Sequence, residues 1–185
     1  MSRLLATSLA VATLLAGAAC SKSDKDSGSQ SQTGAASENT LAAGLAHADD
    51  LSTVSGALKE AGLTQVFDGA APYTILAPQN AAFDKLGAAG AELKKPEQRA
   101  AMVAILRDHI VPGYLTPRDI SDAIQRAAGN GAKMKTMGGH VVTFTNSGAT
   151  IIVTQEDGSS AKLIGEPVLA GNGVALPIDS ILKKI

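Results

Sequence analysis

Residues 107–120 of the chain run "RDHIVPGYLTPRDI". This stretch sets a histidine beside an aspartate, runs into a Pro-Gly turn at Pro112 and Gly113, and restarts at Thr116-Pro117. Upstream, Pro96 opens a helix at a position where its missing N–H does no harm, and Met102, Val103, Leu106 and Ile110 form an apolar stripe at helical spacing. Downstream, Thr116 is placed to cap a second helix, with Asp119 near its positive end. The stretch is thus a corner between two helices, and His109 stands on it.

Three readings of His109 are open. A general base needs an orienting carboxylate and a nucleophile or substrate in reach. Asp108 is its chain neighbour, but neighbours on a helix point about 100° apart, so it orients the ring poorly. No G-x-S-x-G elbow precedes a helix. Catalysis is therefore the least supported reading, a partner contact comes second, and a structural role comes first. In the structural role a neutral imidazole donates one ring N–H to a backbone carbonyl and packs its face on aliphatics. It would knit the helix end to the "APQNAAF" turn at 77–83. The other histidines add no metal site: His47, His109 and His140 contain no i, i+4 pair, and neither H-E-x-x-H nor C-x-x-C occurs. His140 follows Gly138-Gly139 and reads as a solvent-facing turn residue. "EDG" at 156–158 reads as a hairpin turn. No catalytic residue, metal or cofactor is expected.

On either side of this corner the two halves of the chain differ in period. In "DDLSTVSGALKEAGL", Leu51, Val54, Leu58 and Ala61 recur at helix spacing before Gly62. "YTILAP" reads as a short buried strand, and Asn80 in "QNAAFDKL" is placed to cap the helix that follows. Beyond residue 137 come β-branched runs, "GGHVVTFTN", "ATIIVTQ", "AKLIGEPVLA" and "GVALPIDSIL", separated by turn residues. They predict short strands in a mostly antiparallel sheet, with Pro177 at an edge, a bulge or a strand start. Helices first and strands afterwards make an α+β domain.

Composition bounds the function. The chain has 185 residues, 45 % of them apolar, enough for one domain with a real core. With no Trp, two Tyr and three Phe, that core is aliphatic and no base-stacking platform is available. Net charge is −1, with no block of Lys or Arg to neutralise phosphates, so nucleic acid is not an expected partner.

Residues 1–20, "MSRLLATSLAVATLLAGAAC", have the basic start, apolar run and small-residue end of an export signal. The apolar run is too short for a membrane span. Cys20 is the lone cysteine, so no intramolecular disulfide forms. Its setting resembles the lipobox of bacterial lipoproteins, although Gly17 stands where that pattern favours Leu. The resemblance implies cleavage before Cys20 and acylation of the new N-terminus, which holds the protein on a membrane. Ser21, rather than Asp, resembles an outer-membrane sorting preference. Residues 21–40 are rich in Ser, Gly, Asp and Gln and read as a flexible linker, with an end-to-end distance on the order of 25 Å.

The remaining 41–185 resemble the fasciclin (FAS1) domain. "TVSGALKEAGLTQVFDGAAPYTILAPQNAAFDKL" resembles its first signature, "RDHIVPGYLTPRDI" its second and "GEPVLAGNGVALPIDSIL" its last, with "MKTMGGHVVTF" as the strand between them. Departures are Asp108 where the family usually has Tyr or another bulky residue, Leu176-Pro177 in place of His-Val or similar, and Gln79-Asn80 in place of Thr-Asp. The resemblance implies a single α+β domain, a wedge of mostly antiparallel strands with helices packed around it. It marks Asn80, His109, Pro112, Gly113, Asn172 and Gly173 as a structural or partner-contact motif. It also implies non-enzymatic work at a membrane or cell surface, in the periplasm or outside, commonly adhesion or matrix association, as an adhesion or binding module for a surface protein or polysaccharide. The rival expectations are a periplasmic small-ligand or signalling receptor with a pocket between helices and sheet, and a cell-envelope hydrolase.

Overall fold

The computed structural model describes residues 39–93 and 95–184. The expected export signal, Cys20 and linker residues 21–38 lie outside the described residues. Thr40, at the end of the expected linker, is the N-cap of helix α1 (Leu41–Ala46), its side chain accepting from the Ala43 N–H. A 3-10 turn at Asp49–Leu51 leads into α2 (Ser52–Glu60), which buries Val54, Ala57 and Leu58. The helix stops at Gly62, whose φ of 72° is a left-handed conformation that glycine adopts without strain. Helices α3 (Thr64–Asp68), α4 (Asn80–Asp84) and α5 (Ala88–Leu93) follow, with strand β1 (Tyr73–Pro78) between α3 and α4. A 3-10 turn at Pro96–Gln98 starts α6 (Arg99–Asp108), as the proline predicts.

The chain leaves α6 as an extended segment, β2 (Ile110–Pro112), where the sequence suggested only a helix end and a turn. Helix α7 (Pro117–Arg126) has the expected Thr116 cap and a full capping box: the hydroxyl accepts from the Asp119 N–H while the Asp119 carboxylate accepts from the Thr116 N–H. Six strands follow: β3 (Ala132–Lys135), β4 (Val141–Ser147), β5 (Thr150–Gln155), β6 (Ser160–Lys162), β7 (Val168–Ala170) and β8 (Gly173–Ile178).

These strands form two four-stranded sheets. The first is an antiparallel meander in the order β3-β4-β5-β6. The turn between β5 and β6 contains Gly158 at φ 81°. There partial burial pushes the Asp157 carboxyl up, but the Ser159 hydroxyl, the Lys184 and Ser159 N–H groups and the Lys183 charge together hold it at about 2. The second sheet has the order β2-β1-β8-β7, with β1 and β8 parallel and in register from Tyr73 opposite Gly173 to Pro78 opposite Ile178. The run 161–170, which reads as one strand, is divided: Ser160–Lys162 closes the meander and Val168–Ala170 belongs to the second sheet. Pro177 lies where β8 has outrun β7, whose pairing ends at Val168 opposite Ala175. Its carbonyl accepts from Ile164 on that open side, so its missing N–H interrupts no ladder.

Buried side chains fall into two cores, and β1 and β8 form the wall between them. Ile75, Ala77 and Ala175 face the helical core with Leu41, Leu58, Phe67 and Leu106. Leu76, Val174, Leu176 and Ile178 face the meander core with Val142, Phe144, Val153, Ile120 and Ile124. Burial on both faces explains why "YTILAP" and "GVALPI" are continuous apolar runs without alternation.

Candidate functional site

His109 caps the C-terminal end of α6 and is 1 % exposed. Its Nδ1 lies 2.8 Å from the Ile105 carbonyl, and its Nε2 lies 3.0 Å from the Leu182 main-chain nitrogen. Leu182 can only donate, so Nε2 accepts and the proton is on Nδ1, which donates to Ile105. Burial pushes the ring's pKa below its ordinary value, against smaller upward pulls from the Ile105 carbonyl and the Asp108 charge. The neutral imidazole therefore ties the end of α6 to the segment after β8. The expected tie to the 77–83 turn is not made by the ring. The main chain alone comes near it, the His109 carbonyl accepting from Leu76 at 2.8 Å.

Asn80 does not cap its own helix. Gln79 holds the N-cap position of α4 and makes no side-chain cap bond. Asn80 reaches instead to α2: its Oδ1 accepts from the Thr53 N–H at 2.9 Å, and its Nδ2 donates to the Asp49 carbonyl at 2.9 Å and to the Ser52 hydroxyl at 3.0 Å. The reason lies in α2, whose N-cap residue is Leu51 and has no side-chain acceptor for the free N–H groups. A cap supplied from α4 satisfies that need and couples two helices.

Pro112 ends edge strand β2, and Gly113 turns at φ 110°. The Gly113 N–H donates to Pro72, while its carbonyl accepts from the buried Thr74 hydroxyl, which itself accepts from the Leu115 N–H. Asn172 makes three bonds of 2.7 Å: Oδ1 accepts from the Leu41 N–H, and Nδ2 donates to the Phe67 and Gly69 carbonyls. It holds the start of α1 against the end of α3. At Gly173 a Cβ would lie 2.5 Å from the Tyr73 carbonyl oxygen, so only glycine permits this approach of β8 to β1. The residues picked out in the sequence thus stand at separate junctions of the fold and do not converge on one cleft.

A protein-family model for the fasciclin domain matches residues 49–184. The chain belongs to the fasciclin-domain family. Among curated proteins, Protein sll1483 of Synechocystis sp. (strain ATCC 27184 / PCC 6803 / Kazusa) is 29 % identical over 153 residues, covering 82 % of this chain and 77 % of that protein. Among solved structures, a FAS1 domain pair from the insect cell adhesion molecule Fasciclin I superposes with a TM-score of 0.56 at 22 % identity, over 72 % of this chain. This chain spans 45 % of that pair, and the likeness carries the fold.

This fasciclin domain holds one polar cluster that the sequence reading missed. Asp108 is buried, 3 % exposed, and accepts from His140 Nδ1 at 2.7 Å, with weaker approaches from Gln155 Nε2 at 3.4 Å and Thr136 Oγ1 at 3.5 Å. Gly138 closes over it: a Cβ there would fall 1.8 Å from Asp108 Oδ1. His140 is exposed, as its turn position suggests, yet its ring is bound to Asp108. The available signal was the departure at Asp108 itself, an acid where the family has bulk. No cluster of three or more His, Cys, Asp or Glu that could hold a metal is present among the described residues. A hollow of about 610 Å³ lies between α2 and the α5–α6 segment, not between helices and sheet.

Proposed function

We propose that the chain is an exported lipoprotein, anchored through acylated Cys20, whose fasciclin domain is a non-enzymatic adhesion or binding module for a surface protein or polysaccharide. One observation supports the non-catalytic part: both ring nitrogens of the buried His109 are engaged by main-chain groups of the fold. A general base must offer a nitrogen to substrate or water, and this one has none to offer. Family membership and the fold shared with a cell adhesion molecule support the binding part. Ser21 after Cys20 favours the outer membrane as the site of anchoring, with the domain at the periplasmic or outer surface.

Metabolic labelling with a fatty acid tests the anchor: label and membrane retention are expected in the wild type and absent from Cys20→Ser. Equal labelling of both removes it. Binding of the purified protein to isolated envelope polysaccharide and to envelope protein tests the module. Saturable binding to one fraction is expected. Turnover of an envelope substrate, abolished by a folded His109 variant, overturns the non-enzymatic reading.

A further inference from the structure

The groove of about 610 Å³ is the size of a small-molecule site. Ala57, Leu93 and Met102, all nearly buried, supply apolar floor, and Ser52 and Ala61 mark its extent along α2, about 14 Å of helix. Gly56 stands in the middle of that helix and lines the groove. Its backbone is helical, and a Cβ built on it meets nothing within 4 Å. Gly131, Gly138 and Gly173 are demanded by close approach, and Gly62 and Gly113 by a left-handed backbone. Neither reason applies at Gly56, and glycine weakens a helix interior. What the missing methyl provides is open space beside the α2 backbone, inside the groove.

The charges are specific as well. Arg99, at the first turn of α6, lines the groove, and its guanidinium makes no ion pair or hydrogen bond among the described residues. A guanidinium takes a carboxylate by two parallel hydrogen bonds. Lys95 on the same wall is held only in an exposed pair with Glu92. Glu60 also lines the groove without an ion pair among the described residues, and it repels a second negative charge.

We propose that this groove binds an amphipathic monocarboxylate, a medium-chain fatty acid, with its aliphatic chain over Ala57, Leu93 and Met102 and its carboxylate on Arg99. The proposal does not rest on the binding-module reading and stands whether or not that reading holds.

The test uses the full chain carrying Cys20→Ser, so that no attached acyl chain competes, with laurate as probe in isothermal titration calorimetry. Saturable one-to-one binding is expected. Gly56→Leu should weaken it at least tenfold. Gly56→Ala should raise the melting temperature by a few degrees yet weaken laurate several-fold, which separates filling of the groove from damage to the fold. Arg99→Glu should weaken laurate at least tenfold while dodecylamine gains affinity. Absence of saturable laurate binding overturns the proposal, and so does binding that Gly56→Leu and Arg99→Glu leave unchanged.

Discussion

In the meander, every strand pairs with its neighbour in sequence, from β3 to β6, and the buried face packs against one helix, α7, and the β1–β8 wall. In the other sheet, Tyr73 pairs with Gly173 and Ile75 with Ile110, so each contact of β1 closes a long loop. The two regions are also fixed differently. Short turns with Gly148 and Gly158 set the register of the meander, and aliphatic packing does the rest. The long-range sheet has no short turn between β1 and either neighbour. There, buried or half-buried polar side chains tie distant segments: His109 to Leu182, Asn172 to Leu41 and Phe67, Asn80 to Thr53. An apolar contact tolerates sliding. A hydrogen bond to one particular N–H does not, so polar ties specify position where local chain geometry cannot.

That contrast can be broken on the apolar side first. Phe144 is 1 % exposed in the meander core, next to Val142 and Val153. Phe144→Ala is expected to destabilise by about 4 kcal/mol through lost burial and the cavity left behind. Urea denaturation measures it, and a loss below about 1 kcal/mol would mean the meander core does not depend on its largest side chain.

On the polar side the largest effect belongs to His109. His109→Ala removes the donor to Ile105, leaves the Leu182 N–H unpaired in the interior and opens a cavity, for a loss of about 3 kcal/mol. The same geometry sets a pH dependence. Burial first, and acceptance from Leu182 with it, favours the neutral ring, so the folded pKa lies below the unfolded value of 6.5. The unfolded chain then binds the extra proton first. The ring's contribution is complete above pH 6.5 and is lost as pH falls from there through the lowered folded value. Denaturation midpoints measured between pH 8 and pH 5 should therefore fall in the wild type and fall less in His109→Ala. Parallel curves would refute a neutral buried ring.

Asn172→Ala should come next, at about 2 kcal/mol, because three bonds are lost but the site is only partly buried. The loss should be local. Hydrogen exchange at the start of α1 and the end of α3 is expected to speed up before the meander amides respond. Uniform acceleration across both sheets would show that Asn172 acts on the whole domain and not on one junction.

Much of the meander was legible in the sequence, because its signals are local: alternation in "VVTFT" and "TIIVT", turn glycines, and the Thr116 cap. Of the helices before residue 109, α2, α4 and α6 were legible for the same reason, whereas α1, α3 and α5 are only five or six residues long and carry no such periodic signal. The long-range sheet was not. "YTILAP" reveals a buried strand but not its partner, since burial on both faces erases the alternation that would show which face meets what. The division of 161–170 between two sheets follows from tertiary packing that no short window contains. Of the site, Asn80 was correctly marked as a cap but assigned to the wrong helix, because a side-chain acceptor carries no address beyond its own turn. The Asp108–His140 pair joins residues far apart in sequence and was invisible for that reason.

The smallest effect should come from the junction where both regions begin to differ, the capping box of α7. Thr116 accepts from the Asp119 N–H, and the Asp119 carboxylate accepts from the Thr116 hydroxyl and N–H. The Thr116 hydroxyl first, then its N–H, holds the Asp119 carboxyl below its ordinary value. Thr116→Ala removes the acceptor for one free N–H and should destabilise by about 1 kcal/mol, while Thr116→Ser should change little. Since α7 buries Ile120 and Ile124 against the meander, fraying of its first turn should appear there and leave the His109 corner intact. The same substitution deletes the hydroxyl donor to Asp119, so its carboxyl should titrate closer to the ordinary range when followed by NMR. An unmoved Asp119 titration beside a lost cap would show that the main-chain N–H alone sets that carboxyl, and that the hydroxyl donor adds nothing to the two bonds of the box.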